Sequence, residues 1–363
     1  MLREGDLRIP SGCAISGIID KKRKRFSGEE IVKSISLMHD RSNGLGGGFA
    51  AYGIYPQYKD LYAFHVFYDD LNIKTQVEDY IAKYFEIESA GNIPVRHVQG
   101  IENPPLIWRY FLNPRIYMAK EDFIDEEEFT SRCVITINKK YEGAYVFSSG
   151  KNMGAFKGVG YPEDIGRFFM LDTYEAYSWT AHGRFPTNTP GWWGGAHPFT
   201  MLNWSVIHNG EISSYDANRR FVEMFGYKCT LQTDTEVITY LFDLLVRKHK
   251  IPMEKALQVF TAPFWNDIDR ESKDVQDELK ALRTVYSSAL INGPFSIILG
   301  YEKGFIALND RIKLRSLVAA EKDDRVYVAS EESAIRAICD NPDRIWSPKG
   351  GEPVIALLEG EKE

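Results

Sequence analysis

The stretch WSVIHNGEI, residues 204–212, holds the pattern that organises the chain. Its first part, 204–207, is bulky and mostly apolar and reads as a short strand. The strand then runs into His208-Asn209-Gly210-Glu211, a burst of hydrogen-bonding side chains at the point where the apolar run stops. The same arrangement recurs on either side of it. A strand at 179–182 leads into Arg184-Phe185-Pro186-Thr187-Asn188-Thr189, and a helix at 232–247 opens on Thr233-Asp234-Thr235-Glu236. Near the start of the chain, Cys13 stands at the head of CAISGII, residues 13–19, which reads as a buried strand.

Further outward, strands are expected at 49–54, 61–68, 145–148, 295–301, 304–309, 317–320, 325–329 and 354–358. Helices are expected at 28–38, with Ser27 as N-cap, and at 73–85, 254–260 and 273–285. The helix at 232–247 carries Val237, Tyr240, Leu241, Leu244 and Leu245 on one face. Strands dominate and helices lie outside them. The expected fold is therefore α+β, two packed sheets sandwiched by helices. Between about 58 and 140 the character changes, with a further strand expected at 133–138, and this segment reads as an inserted elaboration. A glycine-dense loop, Asn43-Gly44-Leu45-Gly46-Gly47-Gly48, precedes the strand at 49–54.

Composition narrows the function classes. With 363 residues, 44% of them hydrophobic, and 21 Phe, 20 Tyr and 7 Trp, the chain can bury a large core. A net charge of −7 gives no electrostatic footprint for nucleic acid. The one basic run, Lys21-Lys22-Arg23-Lys24-Arg25, reads as a solvated turn. No stretch approaches the roughly 18–20 apolar residues of a membrane span. Residues 1–12 carry Arg3, Glu4, Asp6 and Arg8 and no apolar segment, so they do not read as a secretory signal. Cys13, Cys133, Cys229 and Cys339 lie far apart with no CxxC pair, which argues against a metal site and for free thiols in a reducing cytoplasm.

Taken singly, each polar cluster has a plain structural reading: a buried cysteine, a hairpin Asn-Gly, a helix cap, a surface arginine. Together and in this order they resemble the class-II glutamine amidotransferases. That family has a nucleophilic cysteine at the mature N-terminus, a glycine-rich H-R-G-type loop, R-x-x-T, H-N-G and a T-D-T/S-E helix start. The matching positions here are Cys13, 39–48, Arg184 and Thr187, His208-Asn209-Gly210 and Asp234. The resemblance implies a four-layer αββα sandwich of two antiparallel sheets, the N-terminal-nucleophile hydrolase type. It implies Cys13 as nucleophile, Asn209 and Gly210 as oxyanion donors, and Arg184, Thr187, His208 and Asp234 around L-glutamine. Arg184 would clamp the α-carboxylate and Asp234 the α-ammonium. It also implies that residues 1–12 are a leader, because the base would be the free α-amine of Cys13.

Within the family, the 184–189 run and His208–Ile212 look most like the amidotransferase part of glutamate synthase. No ammonia-acceptor motif is found in this chain. The resemblance thus implies a separate synthase subunit carrying FMN and iron–sulfur, with no cofactor in this chain. Three departures stand out: Ala14 replaces the usual Gly after the nucleophile, the loop reads His39-Asp40-Arg41-Ser42-Asn43-Gly44, and twelve residues precede Cys13. Two other readings stay open. One is an N-terminal-nucleophile hydrolase of another amide, which has no need of the Arg184 and Asp234 clamp. The other is a non-catalytic, glutamine-sensing or scaffolding subunit that keeps its leader.

Overall fold

The computed structural model describes residues 12–119, 124–186 and 191–362. The expected N-terminal strand runs Ala14–Asp20 and is buried along its whole length. It lies between Ser178–Gly183 and Arg325–Ala329, antiparallel to both. Because it is covered on both faces, it is a continuous apolar run rather than an alternating one. It belongs to a seven-stranded sheet whose spatial order is 344–346, 318–322, 325–329, 14–20, 178–183, 47–52, 153–158. A second sheet orders Phe199–Met201, Trp204–Gly210, Phe295–Tyr301, Gly304–Asn309 and Val354–Leu357, again with antiparallel neighbours throughout.

The two sheets face each other. Ile15, Ile19, Val326 and Val328 of the first interlock with Ile207, Ile298, Phe305 and Ala307 of the second in one apolar cluster. The outer face of the first sheet is covered by helices Glu29–Ser36, Pro162–Phe168 and Glu332–Arg336, whose Ile31, Ile35, Ile165 and Ile335 share a cluster with Phe49 and Trp179. The outer face of the second is covered by Tyr215–Met224, Asp234–Phe242 and Met253–Thr261, through Val222, Val237, Leu241 and Phe260. Each sheet thereby buries both faces, and the result is the expected four-layer α+β sandwich.

Most of the segment from 58 to 140 builds a third sheet, ordered 85–92, 106–114, 62–68, 144–148. Helices Leu71–Tyr84 and Glu126–Lys140 pack on one face of it. The chain order strand-helix-strand-strand-helix-strand, with the first strand between the third and fourth, is the split βαβ arrangement of ferredoxin-like folds. The opposite face contributes Ala63, Phe67 and Phe111 to the cluster that holds Phe147 and Phe156, so this unit is seated on the sandwich. Its last strand, Ala144–Ser148, lies beyond the expected boundary at 140.

Three local expectations are corrected. Residues 133–138 are helical, inside Glu126–Lys140. Asp125 caps that helix by accepting from Glu128 N, and Glu126, Glu127 and Glu128 sit in its first turn, where the helix dipole favours negative charge. The β-branched run Val134-Ile135-Thr136-Ile137 suggested a strand, but Phe129, Cys133, Val134 and Ile137 recur at helical spacing and are buried. The helix expected at 232–247 is α-helical only over Asp234–Phe242 and widens into a π-helical turn at Asp243–Lys248. That turn is held by Arg247, which donates to Asp243 Oδ1 and Oδ2 at 2.7 Å each and to Glu128 Oε2 at 3.0 Å. The first helix starts at Glu29 with Gly28 as N-cap, while Ser27 Oγ accepts from Glu29 N one step further out. Among the described residues, no helix is long and apolar enough to cross a membrane.

Candidate active site

Antiparallel pairing carries the polar clusters to one edge of the sandwich. The strand Ala14–Asp20 begins where its neighbours end, at Gly183 and Ala329. Cys13, Arg184 and Ser330 are thereby brought together from opposite ends of the sequence. In the second sheet Gly210 pairs with Phe295, so Trp204–Gly210 ends where Phe295–Tyr301 starts. Gly304–Asn309 also ends on that side, as Asn309 pairs with Ser296. The helix Asp234–Phe242 begins beside this edge. Cys13, Arg184, His208, Asn209, Gly210 and Asp234 all line one cavity of about 450 Å³. Of the expected site residues, Thr187 lies outside the described residues, as do residues 1–11 of the expected leader.

Each lining side chain is held. Cys13 Sγ accepts from Phe185 N at 3.3 Å, and the Cys13 carbonyl accepts from Arg41 Nε at 3.2 Å. Arg41 is in turn paired with Glu331 at 3.0 Å. Burial pushes the Cys13 thiol up, and the nearby Asp234 carboxylate adds to that. The Phe185 N–H and the Arg184 and Arg315 guanidiniums work in the opposite direction. The thiol therefore needs a base. His39 does not serve as one: its ring stacks on Tyr161 and bonds Glu163, and it does not line the cavity.

Asn209 is fully buried. Its Nδ2 lies 3.4 Å from Ser330 Oγ, which also accepts from Ile15 N at 3.1 Å, and its Oδ1 has no described partner. Gly210 has φ +155°, and a methyl group there would stand 2.1 Å from the Pro294 carbonyl oxygen. Only glycine fits. His208 Nδ1 lies 3.3 Å from Asp234 Oδ1, and Ile212 N donates to Asp234 Oδ2 at 3.2 Å. Burial alone raises the Asp234 carboxyl, but His208, Ile212 N–H and the Thr235 hydroxyl outweigh it and hold the carboxyl below its usual range. Asp234 is thus a carboxylate at neutral pH.

Two further histidines, His197 in the cavity wall and His182 behind it, are kept neutral. Burial pushes His182 down to about 3 and His197 well below its usual value. The neutral His182 donates from Nε2 to the His208 carbonyl at 2.9 Å, joining the first sheet to the second under the site. The His197 ring lies against it, centroids 4.0 Å apart. The glycine-dense loop explains itself here. Gly48 passes so close to the His197 carbonyl that a methyl group would stand 2.2 Å from it, and Gly46 O accepts from Arg184 N. Arg184 is buried, 5% exposed, with its guanidinium toward the cavity that Asp234 also lines. Arg41 lies in the matched 39–48 loop and Ser330 at the C-terminal end of the resemblance, but the sequence assigns neither of them, nor Arg315, a role at the site. The first two act through the backbone around Cys13, and Arg315 lines the cavity.

A family model described as class-II glutamine amidotransferases matches residues 92–343, a span that includes Arg184, His208, Asn209, Gly210 and Asp234 and begins after Cys13. An uncharacterized protein of Archaeoglobus fulgidus is 50% identical over 355 residues, 97% of this chain and 94% of that protein. A putative glutamine amidotransferase of Methanothermobacter thermautotrophicus is 25% identical over 339 residues, 90% of this chain and 94% of that protein. Among solved structures, the glutamine phosphoribosylpyrophosphate amidotransferase of B. subtilis aligns over 96% of this chain and 48% of its own, at 16% identity and a TM-score of 0.48.

Proposed function

The chain belongs to the class-II glutamine amidotransferases, and on that premise we propose that it hydrolyses L-glutamine to glutamate and ammonia through a thioester on Cys13. The observation that supports this is the convergence of Cys13, Asn209, Gly210, Arg184 and Asp234 on one cavity. Glutamine enters with its α-carboxylate on Arg184 and its α-ammonium on Asp234, which presents the side-chain amide to Cys13. The sulfur attacks the amide carbon as its proton leaves to a base. The oxygen becomes an oxyanion, received by Asn209 Nδ2–H and Gly210 N–H, a type of contact worth about 10²–10³ in rate. Collapse expels ammonia and leaves the acyl-thioester, which water then hydrolyses to glutamate and free Cys13.

The base in this reading is the α-amine of Cys13. While Gly12 is joined to it, that nitrogen is an amide and accepts no proton, so activity requires the Gly12–Cys13 bond to be broken. A glutaminase assay with the intact mass measured on the same sample tests this. Activity confined to molecules that begin at Cys13 supports it. Equal turnover by molecules that retain Gly12 overturns it. Glutamine binding without turnover in molecules that all retain residues 1–12 would favour a sensing subunit.

We further propose that the ammonia goes to a synthase on a separate polypeptide, of the glutamate synthase type, with FMN and iron–sulfur on that partner and 2-oxoglutarate as acceptor. The support is the likeness of the 184–189 run and of His208–Ile212 to that branch of the family. No glutamate synthase stands among the relatives named above. Glutamine-dependent amination of 2-oxoglutarate, assayed with and without this chain beside its partner, tests the assignment.

A further inference from the structure

Two guanidiniums line the glutamine cavity, and the substrate has one carboxylate. Arg184 answers that carboxylate. Arg315 is left over. It makes no ion pair with the described residues, and its Nε is buried with no partner. It stands on the turn after Gly304–Asn309, which Asp310 ties into a knuckle. The Asp310 carboxylate accepts from Ile312 N at 3.1 Å, from Leu314 N at 2.9 Å and from Phe295 N at 3.3 Å. Phe295 is the register partner of Gly210, so the knuckle is anchored to the same edge as the oxyanion loop. The guanidinium is aimed at the link before the nucleophile. Its Nη1 lies 3.4 Å from the place a Gly12 Cβ would occupy, with Asn209 Oδ1 3.7 Å from that same place.

We propose that Arg315 is a positioning residue for the nucleophile: its guanidinium is a fixed positive charge beside Cys13, second to that of Arg184, favouring the sulfur as thiolate and the main-chain nitrogen, once free, as neutral amine. Both effects have the same sign, since a cation stabilises a neighbouring anion and disfavours a second cation. Among the described residues, the other charged or titratable groups around Cys13 are Arg184, Asp234, His208, His197, Glu211 and Tyr215 from the cavity, and the Arg41–Glu331 pair at its carbonyl. Arg184 and Asp234 are each neutralised by glutamine itself. With substrate bound, Arg315 remains as the cavity arginine without an ion-pair partner among the described residues. The direction of its influence on the thiol agrees with this role.

The proposal rests on the glutaminase reading for its benefit to catalysis, but its test does not. The rate of iodoacetamide labelling of Cys13 is followed against pH by peptide mass spectrometry in the wild type, Arg315→Met and Arg315→Lys, with the N-terminus of each sample measured. Arg315→Met should move the labelling midpoint up by about one pH unit, while Arg315→Lys stays close to wild type. At fixed neutral pH this is roughly tenfold slower labelling in the methionine variant. The acid limb of kcat/KM for glutamine should move in step. An unchanged midpoint in a folded Arg315→Met overturns the proposal, as does a lysine variant that behaves like methionine, which would mean shape rather than charge. Loss of glutaminase activity in the wild type would sink the functional reading while leaving the labelling result to decide on Arg315.

Discussion

Ser330→Ala removes one oxygen on which two parts of the site depend. Ser330 is 1% exposed, and its Oγ accepts from Ile15 N at 3.1 Å and from Asn209 Nδ2 at 3.4 Å. The Ile15 amide faces it on both sides, because Ser330 N donates to the Ile15 carbonyl at 3.0 Å. Alanine keeps that backbone bond and strands a buried N–H, a loss of about 1–3 kcal/mol in stability. Asn209 loses more in position than in energy. Its Oδ1 already has no described partner, so without Ser330 the amide is held only by packing. A donor displaced from the oxyanion by about 1 Å costs roughly 10²-fold at most, so kcat should fall between about tenfold and a hundredfold. KM should change little, since neither Arg184 nor Asp234 bonds Ser330. Urea unfolding gives the stability and steady-state glutamine kinetics give the split. Ser330→Thr, which keeps the hydroxyl, serves as the control. Wild-type kcat in a destabilised Ser330→Ala would show that Asn209 is not held through Ser330, and the reasoning would fail.

Cys13→Ala should abolish both glutamine hydrolysis and labelling by a glutamine-analogue diazoketone while leaving the circular dichroism spectrum intact; more than a few per cent residual activity refutes its role. Arg184→Lys replaces a planar two-point contact with a point charge, so KM for glutamine should rise roughly ten- to a hundredfold with kcat less affected, read from initial rates. Asp234 has a folded carboxyl pKa below its unfolded value of about 3.9, so its contribution to stability is complete above about pH 5 and fades as pH falls through the lower, folded value. Asp234→Asn should therefore flatten the urea midpoint against pH below about pH 4 and raise KM; an unchanged acid limb would show that the carboxylate is not stabilised by His208.

The fold was legible where local pattern and tertiary demand agree. The strands Phe295–Tyr301, Gly304–Asn309 and Arg325–Ala329 and the helix Lys273–Val285 lie where the sequence places them. Each strand is apolar and bounded by turn residues, and both of its faces are covered, so no competing arrangement buries it as well. Residues 133–138 look like a strand because four β-branched residues stand in a row there, while the Asp125 cap and Phe129, which set the helical spacing, lie upstream. The π-helical turn at Asp243–Lys248 shows locally only an Asp243–Arg247 pair at ordinary helical spacing. Its Arg247 also reaches Glu128, 119 residues away, which no local pattern records.

At the site, what the sequence could show was the side chains that line the cavity. Cys13, Arg184, Asn209, Gly210 and Asp234 sit in unusual polar runs at strand and helix ends, and such runs are conspicuous because an apolar strand has no structural use for them. Arg41, Ser330 and Arg315 are different. Arg41 holds the Cys13 carbonyl, Ser330 holds Ile15 N–H and Asn209, and Arg315 faces the link at Gly12. In the sequence they look like any arginine in a turn or serine after a strand. Their meaning comes from antiparallel register, which sets the end of Arg325–Ala329 beside the start of Ala14–Asp20, and from the Asp310 knuckle, which turns residue 315 back toward the cavity. A short motif records the side chains that line the cavity; only the assembled sheets record which groups hold Cys13 and Asn209 in place beside it.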